Sequence, residues 1–124
     1  MTRILLAEDE ACVRTLLSDL LARQGYDVVA VSTGEEALAL SQDSVGPVQL
    51  LVTDLLLPGK NGPDLATVLR ERVPNLRVLF MSGYTDHPLV DRALESADGF
   101  ISKPFSLSNF NKTVKDALHA PVRG

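Results

Sequence analysis

The chain has 124 residues, 45% of them hydrophobic and 23% charged, which suits one compact domain spanning residues 1–124. A net charge of −4 argues against a nucleic-acid surface, and no apolar run nears the roughly 20 residues of a membrane span. The single cysteine, Cys12, forms no internal disulfide, and the apolar run Ile4–Ala7 is too short for a signal peptide, so a cytoplasmic protein without membrane contact is expected.

The first strand is predicted over Ile4–Ala7. A helix follows, with Val13, Leu16, Leu17, Leu20 and Leu21 at helical spacing and Gly25 as its stop. The second strand is Val28–Val31. Thr33 with Glu36 three residues on forms a capping box before Ala37-Leu38-Ala39-Leu40. Leu50–Thr53 is the third strand. Pro63, Asp64, Leu65, Val68 and Leu69 mark a third helix that closes before Pro74. Val78–Met81 is the fourth strand, and Leu89, Val90, Ala93 and Leu94 mark a fourth helix. Phe100–Ser102 is the fifth strand. Ser106 or Ser108 caps a last helix carrying Phe110, Val114 and Leu118, with His119 suiting its C-terminal dipole.

Short strands that are apolar on both faces and alternate with helices call for a parallel sheet covered on both sides. The fold class is therefore α/β, a doubly wound five-stranded (βα)5 sheet. Such sheets bind ligands beyond the carboxyl ends of their strands, where the strand order reverses.

The polar residues gather at those ends. Glu8-Asp9 follow strand one, Asp54 follows strand three, Ser82-Gly83 follow strand four, and Lys103-Pro104 follow strand five. Three carboxylates brought together repel, so at least one pKa should rise. A hard divalent cation such as Mg²⁺, with Mn²⁺ as a substitute, relieves the repulsion and also binds phosphoryl oxygens. Lys103 and the Ser82 hydroxyl suit the remaining oxygens, and the Asp54 carboxylate is the candidate nucleophile.

These residues resemble the CheY-like, flavodoxin-like receiver domain of bacterial two-component systems. The likeness rests on Glu8-Asp9, on Asp54 through Gly62 with Pro58 and Gly59 in place, on Ser82-Gly83, and on Lys103-Pro104-Phe105. It implies that Asp54 accepts phosphate from a phosphohistidine. The donor is a sensor histidine kinase or a histidine phosphotransfer domain, docking near Glu10, Val13 and Arg14. It further implies that Asp9, Asp54 and the Leu56 backbone carbonyl ligate Mg²⁺, with Glu8 acting through water. Ser82 and Phe100 would form the switch, and Lys103-Pro104 would be a cis peptide. A downstream protein would read the fourth helix, fifth strand and fifth helix, about Leu89 to Val114. The wording Met81 through Asp86 is similar to receivers at the C-terminus of hybrid sensor kinases.

Some residues depart from that pattern. Phe100 stands where Tyr is frequent, so a switch there works by packing. Ser96 and a short Ser82–Lys103 stretch imply an abbreviated fourth helix. Apolar Leu56 and Tyr84 imply a long-lived acyl phosphate. Cys12 is expected to be partly buried and inert, His87 a surface loop residue, and Gly34, Gly59, Gly62 and Gly99 turn residues. Two alternatives compete. One is a degenerate receiver that only binds a partner. The other is a metal-dependent phosphohydrolase, which Leu56 opposes because it stands where those enzymes place an acid. A receiver catalyses only its own phosphorylation and dephosphorylation, and no nucleotide-binding glycine motif occurs. The fold uses essentially all residues, so no output domain is expected within them.

Overall fold

Parallel strands and helices alternate along the chain with boundaries close to those of the apolar runs. A computed structural model describes residues 2–40, 47–83 and 86–121. In order they form β1 (Arg3–Ala7), α1 (Ala11–Arg23), β2 (Asp27–Val31), α2 (Gly34–Ala39) and β3 (Leu50–Asp54). Then follow α3 (Gly62–Arg72), β4 (Arg77–Ser82), α4 (Pro88–Ser96), β5 (Gly99–Ser102) and α5 (Leu107–Leu118). Tyr84 lies outside the described residues.

The five strands pair in parallel in the order β2-β1-β3-β4-β5. Alternation of side chains across a strand divides the apolar residues between two faces. Ile4, Leu6, Leu50, Val52, Leu79 and Met81 meet Leu17 and Leu21 of α1 and Phe110, Val114 and Ala117 of α5. Leu5, Ala7, Leu51, Val78 and Phe80 meet Ala37 of α2, Leu65 and Leu69 of α3, and Val90 and Ala93 of α4. β3 is buried along its whole length because it has a strand on either side and helices on both faces. The outer strands β2 and β5 are only partly covered.

The helix ends follow local chemistry. Thr33, Asn61 and Ser106 each accept a backbone N–H three residues on, so the choice between Ser106 and Ser108 falls to Ser106. Gly25 takes a φ of +93° after α1, as a C-terminal stop requires. At nine residues α4 is shorter than α1, α3 and α5, in line with its short sequence stretch.

Five residues depart from expectation. Cys12 is exposed, because it lies in the first turn of α1 on the side facing away from the sheet. His87 is the N-cap of α4, its Nδ1 accepting from Leu89 N–H at 3.1 Å. Gly34 opens α2, and Gly99 opens β5 opposite Leu79, so neither is a turn residue. Gly62 likewise opens α3, for a reason that concerns the site.

Candidate functional site

The register of β1 and β3 builds the site. Ala7 lies opposite Thr53, so Glu8 and Asp54 follow on neighbouring strands at the same level. The backbone pairing runs just past the strand ends. Glu8 N–H donates to the Val31 carbonyl at 3.1 Å, Leu55 N–H to Met81 at 2.8 Å, and Lys103 N–H to Ser82 at 2.7 Å. Glu8, Asp54, Ser82 and Lys103 are thus held by sheet backbone and not by loose loop.

The turn after Asp54 folds back tightly. Gly62 N–H donates to the Leu55 carbonyl at 2.9 Å. A Cβ on Gly62 would stand 2.5 Å from the Asp54 carbonyl oxygen, so only glycine lets α3 start this close to β3. Gly59 turns the same loop with a φ of +79°. Lys103-Pro104 is a cis peptide. Beyond it Phe105 stacks on the fully buried Phe110, ring centroids 5.4 Å apart, which fixes the segment after Lys103 to α5.

The side chains converge on a cleft of about 500 Å³ lined by Asp9, Asp54, Leu56, Ser82, Gly83 and Lys103. Lys103 Nζ bridges two carboxylates, lying 2.8 Å from Glu8 Oε1 and 2.7 Å from Asp54 Oδ1. Glu8 is fully buried, and its other oxygen accepts from Glu10 N–H at 3.1 Å. Asp54 is also buried, and its Oδ2 has no hydrogen-bond partner. One carboxylate oxygen from each of Glu8, Asp9 and Asp54 lies within 4.8 Å of the others. An all-carboxylate set with an unpartnered buried oxygen fits a hard divalent cation, which would take up that oxygen and offset the crowded charge.

Charge is distributed unevenly across the cluster. Burial, then the neighbouring Glu8 carboxylate, pushes the Asp54 carboxyl up to about 8, against the pull of Lys103. For Glu8, burial works upward, but its contacts with Asp54, Lys103 and the Glu10 N–H outweigh it and hold the group below the ordinary range. Lys103 is raised above its usual value, because the two carboxylates outweigh its burial. At least one of the three carboxyls was expected to rise, and Asp54, the candidate nucleophile, does.

Sequence reasoning did not foresee the ties around this cluster. Arg14 Nη1 donates to the Glu8 carbonyl at 2.9 Å. Far from the carboxyl edge, buried Asp98 accepts from Arg70 Nη2 at 3.1 Å and from Val78 N–H at 2.9 Å, joining α3 to β4 and the turn before β5. Neither pairing leaves a periodic or motif signal. Leu56 projects into solvent beside the cleft, and Phe100 is half-buried against the α2–α4 side of the core.

The family model for the response regulator receiver domain matches residues 4–115. The chain belongs to the response regulator receiver domain family. As a receiver it is a signalling module of two-component systems with a phosphoacceptor role. It is 36% identical to the sensor kinase CckA of Brucella abortus over 116 residues, covering 93% of this chain and 12% of that protein. Overall it spans between 12% and 50% of the length of the curated relatives it matches. Among solved structures, the receiver domain of a hybrid histidine kinase CckA superposes with a TM-score of 0.78 at 33% identity, covering 94% of this chain and 99% of that one. The response regulator TrrA of Thermotoga maritima, solved in complex with Mg²⁺-BeF, superposes with a TM-score of 0.80 at 28% identity, again over 94% and 99% of the two chains. The receiver's five parallel strands and their order are those of the CheY-like fold. No helix among its described residues is long and apolar enough to cross a membrane.

Proposed function

We propose that this receiver takes a phosphoryl group on Asp54 from a phosphohistidine of a sensor histidine kinase or a histidine phosphotransfer domain. The observation that carries the reading is the buried Asp54 carboxylate, one oxygen paired with Lys103 and the other unpartnered beside Glu8 and Asp9. In the transfer an Asp54 oxygen attacks phosphorus, the P–N bond breaks, and the imidazole leaves. Lys103 balances charge on the phosphoryl oxygens, and Ser82, buried in the cleft wall, donates its hydroxyl to one of them.

Asp9, Asp54 and the Leu56 carbonyl would hold Mg²⁺, or Mn²⁺ in its place, with Glu8 reached through water. When bound, the ion supplies the positive charge that keeps Asp54 ionised and neutralises the phosphoryl oxygens. The Mg²⁺-BeF complex of TrrA supports this assignment by analogy. Burial and the Glu8 carboxylate raise the Asp54 carboxyl, to about 8, so a bound cation would favour transfer by holding Asp54 ionised.

The donor would approach over α1. Val13, Leu16, Phe105 and Leu107 line an apolar groove that runs up to Lys103, and Leu16 and Leu107 are exposed there. Phosphorylation would then bias the α4-β5-α5 face, with Ser82 drawn toward the phosphoryl group and Phe100 following by repacking. The likeness to a hybrid kinase receiver supports a parent chain that carries its own kinase, with residues 1–124 as one receiver domain on the cytoplasmic side. The domain would catalyse only its own phosphorylation and dephosphorylation.

The test is acetyl phosphate with Mg²⁺, read by intact mass at neutral pH. The chain gains one phosphoryl group and Asp54→Asn gains none. Labelling that persists in Asp54→Asn refutes the assignment.

A further inference from the structure

We infer that Arg14 is a positioning residue for the cation site, acting through the backbone of the β1–α1 loop. This rests on the reading of Asp9 and Asp54 as cation ligands. Asp9 is exposed, and none of the side-chain hydrogen bonds or ion pairs among the described residues holds it. The backbone that carries it therefore sets where its side chain departs.

The backbone on either side of Asp9 is tied. Glu8 N–H is tied to Val31, and the Glu8 carboxylate is tied at one oxygen to Lys103 and at the other to Glu10 N–H. These bonds leave the rotation of the Glu8–Asp9 peptide. A peptide is planar, so whatever holds its oxygen also sets its N–H and the Cα from which the Asp9 side chain departs. Arg14 Nη1 holds that oxygen at 2.9 Å, reaching back from α1, whose own first turn is closed by Arg14 N–H on the Glu10 carbonyl. The guanidinium suits the task, being always charged and planar, so one N–H is held in direction while the others stay free.

A tether and a charge have opposite effects here. If Arg14 acted only through its charge, removing a cation from beside a cation site would strengthen Mg²⁺ binding. If it acts by holding the Glu8–Asp9 peptide, removal lets Asp9 turn away and weakens binding. Losing a group that orients a metal ligand typically costs ten- to a hundredfold in affinity.

The experiment compares the wild-type chain with Arg14→Met and Arg14→Lys. Mg²⁺ affinity is measured by calorimetry at about pH 8.5, where the Asp54 proton is mostly gone. Melting temperatures are taken without metal. Arg14→Met should bind Mg²⁺ at least about tenfold more weakly, with a metal-free melting temperature close to wild type. Arg14→Lys, which keeps a donor and a charge, should recover part of the loss. Unchanged or tighter binding by Arg14→Met overturns the proposal. So does an equal fall in metal-free melting temperature in both variants, which would make Arg14 a structural tie alone. Acetyl phosphate labelling of the wild type is read separately. A wild type that binds Mg²⁺ but stays unlabelled counts against Asp54 as acceptor and leaves the Arg14 comparison intact.

Discussion

Asp54 and a bound cation should compete with a proton, and this competition has a calculable slope. With its pKa pushed to about 8, Asp54 holds a proton across the neutral range when no metal is present. A cation that needs the ionised carboxylate must displace that proton, so the apparent affinity falls about tenfold per pH unit below 8. Between about pH 8.5 and about pH 6.5 the weakening is roughly 25-fold. At about pH 7 each Mg²⁺ should release about 0.9 proton. The chain has no Trp, so calorimetry in buffers of different ionisation enthalpy is the direct assay, giving affinity and proton count together. An Asp54 with an ordinary carboxylate pKa of 3.8 would show neither effect in this range. A flat affinity with no proton release near neutrality would refute the reasoning. The sign for folding runs the same way. A carboxyl raised in the folded state stabilises the metal-free fold fully below 3.8, and that contribution is lost as pH rises through about 8. Saturating Mg²⁺ should therefore raise the melting temperature more at alkaline pH than at about pH 6.

Two further outcomes are expected. Gly62→Ala places a Cβ 2.5 Å from the Asp54 carbonyl oxygen, so the chain should lose roughly 1–3 kcal/mol by chemical denaturation, while Gly83→Ala, with nothing within 4 Å, should lose little. Equal stability of the two variants would mean that α3 can shift without cost. Leu56 is 37% exposed beside the cleft, where its apolar bulk would hinder water from reaching an acyl phosphate. Leu56→Asn should shorten the half-life of the phosphorylated chain at least about threefold, roughly 0.65 kcal/mol in barrier, as followed by intact mass over time. A half-life no shorter than wild type would remove Leu56 from control of hydrolysis.

The sequence alone determined the order of elements, the sheet type and the residues at the carboxyl edge. The reason is that strands apolar on both faces admit few arrangements. Once β1, β3, β4 and β5 are parallel, Glu8-Asp9, Asp54, Ser82 and Lys103 must emerge along one edge. The capping signal at Thr33 and the stop at Gly25 were legible for the same reason, since their chemistry is local. What only the tertiary structure decided depends on atoms far apart in the chain. Lys103 bridges Glu8 and Asp54 across β1, β3 and β5, and that sharing, together with burial, determines which of three carboxylates keeps its proton. Gly62 reads as a turn glycine until the Asp54 carbonyl is seen where its side chain would stand. His87 reads as a loop residue until its ring is found capping α4. Arg14 reads as part of an expected docking surface, and only the return of its guanidinium to the Glu8 carbonyl connects it to the backbone that carries Asp9. Periodicity records which face a residue occupies. It does not record which backbone oxygen a long side chain will reach.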